Sequence, residues 1–144
     1  MLNKLLVCLT GMPGAGKSTI AEGLKSEGYE IINLGNAVRN EAKKRNLDAS
    51  RENLGKLMLE LREKNGPGAI AELVETQIQS SNSNVLLIDG VRSNAEIEVL
   101  RKFGTVKLLA IHASTDTRFN FLQKRGRSDD PQTKEHFNER DNRE

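Results

Sequence analysis

Tryptophan is absent from this 144-residue chain, tyrosine occurs once and phenylalanine four times, so aromatic residues make up only 3% of it. A buried core must therefore be aliphatic, built from Leu, Ile, Val and Ala. The same scarcity argues against a surface that stacks bases along a nucleic acid strand. Cysteine occurs once, at Cys8 inside an apolar run. That excludes an intrachain disulfide and suits a reduced, cytoplasmic setting, with Cys8 acting as a small buried hydrophobe. The two histidines form no Cys/His cluster of the kind that holds zinc. His112 closes an apolar stretch and reads as structural, and His136 lies in a charged tail and reads as solvated. No apolar run reaches the ~20 residues of a membrane-spanning helix. The first residues, Met1 to Val7, lack a signal-peptide layout, because their apolar stretch runs straight into a glycine loop. Neither sign of charge dominates: 22 Lys and Arg face 20 Asp and Glu, for a net +2. Nucleic acid is thus an unfavoured partner.

What is present fits one soluble domain. Hydrophobic residues are 36% of the chain, and mean hydropathy is −0.56. Four short apolar runs read as strands: Leu5–Leu9, Tyr29–Leu34, Val85–Asp89 and Val106–His112. They are nearly continuous in apolar character, as expected of parallel strands covered on both faces. Helical patterns lie between them. Ser18–Ser26 stops at Gly28, and Asn36–Arg45 follows the second run. Ser50 can cap a helix carrying Leu54, Leu57, Met58 and Leu61 on one face, which ends at Asn65-Gly66-Pro67. A further helix carries Ile70, Leu73, Val74 and Ile78. Ser93 with Glu96 reads as a capping box before Ile97 and Leu100, and Gly104 ends that helix. Alternating strands and helices predict an α/β three-layer sandwich with a parallel sheet. Residues 35–80 read as a helical insertion over a site. Ser80 to Asn84 reads as a polar turn without a function.

Four features carry chemistry. Gly11-Met12-Pro13-Gly14-Ala15-Gly16-Lys17-Ser18 meets the phosphate-loop pattern G-x-x-x-x-G-K-[ST], with a strand before it and a helix after. Such a loop turns backbone N–H groups onto an anion, and the helix start adds its positive dipole end. Lys17 would reach the β- and γ-phosphates of ATP, Ser18 would ligate magnesium and Thr19 would support it. Asp89, at the end of an apolar strand, stands where a second magnesium ligand is expected, acting through water. Gly90 lets the chain leave the strand sharply, and Arg92 then projects at the carboxyl ends of the strands, where open α/β sheets bind ligands. Gly35 and Arg39 lie where the second strand gives way to a helix, so that Arg39 could fork onto a second phosphate. Residues 124–144 read as a lid. In the tail from Arg118 to Glu144, Arg118, Lys124, Arg125, Arg127, Arg140 and Arg143 interleave with Asp129, Asp130, Glu135, Glu139 and Asp141. Arg125-Gly126-Arg127 would be its hinge and clamp, arginines would swing onto the transferring group, and Asp/Arg pairs would hold the open lid. Read alone, the same tail is equally a solvated charged helix.

Together these residues resemble the adenylate kinase superfamily of nucleoside monophosphate kinases. Gly11 to Thr19 looks like its first loop, Ile32 to Arg39 like its monophosphate segment, and Asp89-Gly90-Val91-Arg92 like its Asp-Gly-aromatic-Pro-Arg segment. Arg125, Arg127-Ser128-Asp129-Asp130 and Arg140 look like its short lid. Within that superfamily the chain looks most like an archaeal group of adenylate-kinase-related, dephospho-CoA-kinase-like nucleotide kinases, through Arg51 to Leu57, Gly66-Pro67-Gly68 and Gly126 to Pro131. The resemblance implies a P-loop kinase that uses ATP and magnesium and phosphorylates a nucleoside monophosphate, AMP first. It implies Lys17, Arg92, Arg127 and Arg140 in catalysis, and Arg125 with the loop on the donor. Gly35, Arg39, Asp89, Gly90 and Arg92 would meet the acceptor, and Ser18 and Asp89 the metal. Two departures stand out. Val91-Arg92 lacks the family's proline. The family pattern also continues past the lid with a helix and a fifth strand, where four strands are read here. Two other readings remain open: a kinase of a larger acceptor such as dephospho-CoA, and a slow ATPase switch or assembly factor.

Overall fold

A computed structural model of the chain describes residues 3–127 and 130–142. Four strands form one parallel sheet: β1 (Leu5–Thr10), β2 (Glu30–Asn33), β3 (Val85–Asp89) and β4 (Thr105–Ala110), in the order β2-β3-β1-β4. The helices are α1 (Lys17–Ser26), α2 (Leu34–Lys44), α3 (Arg51–Asn65), α4 (Ala69–Glu72), α5 (Glu75–Ser80), α6 (Asn94–Arg101), α7 (Thr115–Arg125) and α8 (Lys134–Asp141). The α/β expectation with a four-stranded parallel sheet is met.

The strands alternate sides, and the two sides are unequal. Leu6 and Cys8 of β1, Ile32 of β2, and Leu86 and Ile88 of β3 join a large aliphatic core with residues of α2, α3, α4 and α6. Their neighbours Val7, Leu9, Ile31 and Leu87 face the other way, onto Ala21 and Leu24 of α1, in a much smaller cluster. This is the period-2 alternation of a strand read at full burial. Cys8 is buried in the large core, and desolvation pushes its thiol up to about 11. It is the inert small hydrophobe that the sequence suggested.

Coverage on both faces holds for β3 but not for β4. Leu108 and Leu109 point to opposite faces of that edge strand, and each is 50% exposed. Among the described residues nothing pairs with the outer edge of β4. His112 lies past its end, exposed.

Other boundaries moved for local reasons. The second strand stops at Asn33, because the Asn33 side chain accepts from the Asn36 N–H at 2.9 Å and so starts α2 at Leu34. The single helix expected over Ile70 to Ile78 is two short ones, α4 and α5. Ile70, Val74 and Ile78 stay buried across the break, so the apolar stripe is kept. The insertion between β2 and β3 therefore comprises α2, α3, α4 and α5. Ser93 and Glu96 form the expected capping box of α6. In the polar turn before β3, the Ser81 and Ser83 hydroxyls donate to Glu30, and Lys4 donates to the carbonyls of the same two residues. That turn fastens the amino end of the sheet.

The charged tail folds into two capped helices. Ser114 caps α7 and Thr133 caps α8. The apolar period that would have announced them is missing, because an arginine takes a buried helix position. Arg118 and Leu122, four residues apart, are the buried face of α7, and Phe137 is buried on α8. Gly126 ends α7 in the left-handed conformation, at φ 61°. Ser128, Asp129 and Arg143 of the expected lid lie outside the described residues.

Candidate functional site

The sheet register sets the site. Asn33 on β2 and Leu9 on β1 both stand level with Asp89 at the end of β3. The loops after these three strands consequently open on the same edge, between strands that lead the chain in opposite directions, which is where such sheets place ligands. A cleft of about 590 Å³ opens there.

The loop from Gly11 to Gly16 forms its floor. Gly16 precedes α1 in a left-handed conformation at φ 102°, and Lys17 is the first residue of the helix. The Lys17 ammonium lies back across the loop, donating to the carbonyls of Gly11 at 2.6 Å and Met12 at 3.1 Å. Pro13, Gly14, Gly16, Lys17, Ser18 and Thr19 line the cleft. Gly11, Met12 and Ala15 belong to the loop but not to the cleft wall, and Ala15 is buried. Gly14 is bound to be glycine twice over. Its φ is +79°, and a Cβ would stand 2.6 Å from the Arg118 carbonyl and 2.9 Å from Leu122. Helix α7 therefore rests directly on the loop.

The β2–α2 junction supplies one wall. Gly35 and Arg39 line the cleft, and the Arg39 guanidinium donates to Asn36 at 2.9 Å. Asp89, Gly90 and Arg92 continue this wall from β3. The Glu96 carboxylate accepts from the backbone N–H of both Arg92, at 2.7 Å, and Ser93, at 3.3 Å, and stands 3.8 Å from Arg62. A buried capping residue thus fixes the turn that carries Arg92.

Asp89 is buried, and its two oxygens differ. Oδ2 accepts from the Asn33 amide at 3.0 Å. Oδ1 is buried with no hydrogen-bond partner among the described residues. An orphaned carboxylate oxygen on a cleft wall is costly unless something meets it. With the Ser18 hydroxyl on the same cleft, these oxygen donors fit a hard divalent cation such as magnesium. Among the described residues there is no cluster of three or more His, Cys, Asp or Glu side chains.

The opposite wall is formed by α7, α8 and the described residues between them. Arg125, Arg127 and Arg140 line the cleft, with Lys124 and Phe121 beside them. Asp130, buried at the turn, gathers the arginines. It accepts from Arg125 in a bidentate pair and from the Arg127 N–H at 3.0 Å, and lies 3.5 Å from Arg140. Burial alone would raise the Asp130 pKa. The Arg125 and Arg127 hydrogen bonds and the Arg125 and Arg140 charges outweigh it and hold the carboxyl below its ordinary value. The Asp/Arg pairing read from the sequence is present at Asp130. It is present also at Asp141, which pairs with Arg118; Arg118 departs instead from the expectation that the tail's arginines reach the transferring group, because it does not line the cleft but is buried between α7 and α8. Glu22, Asn33 and Phe121 line the cleft without having been singled out. Only Asn33 left a trace in the sequence, as a capping residue at a strand end.

The comparisons follow this geometry. A family model described as an AAA domain (AAA_17) matches residues 10–138. Relatives include UPF0200 proteins of Hyperthermus butylicus, 40% identical over 96% of this chain and 75% of that protein, and of Methanocaldococcus jannaschii, 43% identical over 97% and 72%. The chain belongs to the AAA domain family and to the UPF0200 proteins. The crystal structure of TT1252 from Thermus thermophilus superposes on this AAA domain with a TM-score of 0.68, over 99% of this chain and 81% of that one. At 16% identity that likeness establishes the fold, a P-loop kinase-like one. Among the described residues of the AAA domain no helix is long and apolar enough to cross a membrane.

Proposed function

We propose that this chain is a cytoplasmic kinase that transfers the γ-phosphoryl group of ATP to the phosphate of a nucleoside monophosphate, AMP in the first instance. The carrying observation is that one cleft of about 590 Å³ gathers the phosphate-loop lysine with arginines from separate segments, Arg39, Arg92, Arg125, Arg127 and Arg140. A single triphosphate does not require cations on every wall. Two phosphorylated ligands held end to end do.

In this reading the loop and Lys17 hold the donor phosphates from below, and Arg125 holds them from the end of α7. Arg39 and Arg92 grip the acceptor phosphate from the opposite wall, with Gly35 and Gly90 allowing its close approach. An acceptor phosphate oxygen forms a bond to the γ-phosphorus as the bond from that phosphorus to the β–γ bridging oxygen breaks, and the leaving group is ADP. No covalent enzyme intermediate is needed, because the protein's part is alignment and charge neutralisation. Arg127 and Arg140 close on the equatorial oxygens of the group in flight. Ser18 and Asp89 would hold magnesium, which when bound would supply charge that neutralises the donor phosphates. In this reading residues 35–80 are the acceptor-binding insertion and 124–144 the lid of a single domain.

The test is a coupled assay for ADP formation against a panel of acceptors, including AMP, other monophosphates and dephospho-CoA. Acceleration by one monophosphate is expected. Hydrolysis that no acceptor accelerates would sink the kinase reading and leave a slow ATPase switch. Full turnover by a Lys17→Met variant would sink the loop assignment.

A further inference from the structure

Among the described residues Arg118 is the one arginine of the tail that does not line the cleft, and its surroundings are built for a cation. It is 6% exposed. Its guanidinium forks onto Asp141 of α8, at 2.5 and 2.8 Å, and stacks over the Phe137 ring, 5.2 Å from the centroid. Phe137 in turn meets Phe119 edge-on at 5.5 Å. The same Nη1 that binds Asp141 also donates to the Pro13 carbonyl, at 3.4 Å. Pro13 is part of the phosphate loop, and one residue later Gly14 is pressed against the Arg118 carbonyl. Arg118 therefore touches the loop with both its backbone and its side chain.

The far end of this link matters as much. Asp141 is the neighbour of Arg140, which lines the cleft and lies beside Asp130. One turn of α8 thus meets Arg118, and through it the loop, by Asp141, and the cleft by Arg140. A guanidinium fork on a carboxylate is rigid, so it transmits position rather than only charge.

We propose that Arg118 is a positioning residue that ties the phosphate loop to α8, so that loop geometry and the seating of Arg140 on the cleft depend on each other. The link deepens the nucleotide-kinase reading and rests on it for its purpose, but it is a property of the protein without ligand. It identifies Asp141 as its other half. Loosening either residue frees the loop at Pro13 and Gly14 and lets α8 drift, though neither residue meets a nucleotide.

The experiment uses the whole chain and its Arg118→Lys, Asp141→Asn and double variants. Hydrogen exchange read by mass spectrometry is the first measurement, because it needs no nucleotide. Exchange in the Gly14–Ser18 segment is expected to rise about tenfold in each single variant, while the β1 and β3 amides keep their protection. The double variant should add little to either single one, since both cut the same link. Unchanged loop exchange in both single variants, or a uniform rise across the sheet, would overturn the proposal. Calorimetric titration with MgATP is the second measurement. Roughly tenfold weaker binding is expected in each single variant, with the loss caused by Arg140→Met shrinking in the Arg118→Lys background. Full affinity in both single variants, or strict additivity with Arg140→Met, would also overturn it. A wild-type chain that binds no MgATP would remove the kinase reading, and the loop exchange would still decide the link.

Discussion

The two walls of the cleft are held by different physics. On the Arg39 and Arg92 side, the side chains stand on elements that bury Ile32, Leu34, Val38, Ile88 and Leu100 in one aliphatic core. On the Arg125 and Arg140 side, the described residues of α7 and α8 bury two apolar side chains, Leu122 and Phe137, and are held by Asp130 and Asp141 on their arginines. Packing of the first kind is hard to deform in part, because a close-packed interior yields only by opening. The charge pairing at Asp130 can be exchanged: an arginine on the cleft that binds a carboxylate can bind a phosphate instead. The difference teaches where motion belongs. A wall that keeps its shape suits holding an acceptor, and a wall whose bonds can be traded suits closing on one.

The comparison can be broken from either side. The largest effect on stability is expected from Ile88→Ala. It empties space at a fully buried position of the central strand and should cost roughly 2–5 kcal/mol in denaturant unfolding, felt across the whole sheet. Asp130→Asn is next. It removes the charge that gathers Arg125 and Arg140, which are themselves partly exposed. It should cost about 1–3 kcal/mol and show chiefly as faster hydrogen exchange in α8, with β1 and β3 protected. If it instead lowered protection of the sheet as much as Ile88→Ala does, the two walls would not be distinct.

Acid sharpens the same contrast. Hydrogen bonding to Arg118 holds Asp141 below its ordinary value, and the arginines outweigh burial to do the same for Asp130. Carboxyls depressed in the fold stabilise it above their unfolded value of 3.8. That stability is lost as the pH falls through their lower folded values. Limited proteolysis should therefore cut within α7 and α8 first as the pH drops below 3.8, while far-UV circular dichroism still reports the sheet. Simultaneous loss would contradict this order. The smallest effect is expected at Leu108→Thr. Although leucine on a strand looks like core, Leu108 is half exposed, and unfolding should shift by no more than about 0.5 kcal/mol.

The sequence was most legible where chemistry is local. Gly11 to Ser18 states a loop by its own spacing, Ser93 with Glu96 states a cap, and apolar runs state buried strands. It was least legible where a residue's role depends on a partner far along the chain. Asn33 orients Asp89 across 56 positions, and Arg118 reaches Asp141 across 23 and Pro13 across 105. Nothing near Arg118 in sequence distinguishes it from Arg125 or Arg127, so it was grouped with them as a ligand for the transferring phosphate. β4 misled in the opposite sense. Its apolar run promised burial on both faces, and the structure leaves both open.

Cys8 stands midway along β1, with Ile88 of β3 on one side and Leu108 of β4 on the other. As the chain's sole sulfhydryl, fully shielded from solvent, it is a timer that the molecule carries within itself. A disulfide reagent can reach it only after the helices of the large core have lifted from the sheet. The rate of its modification, followed by mass, counts how often that core opens, whatever α7 and α8 are doing.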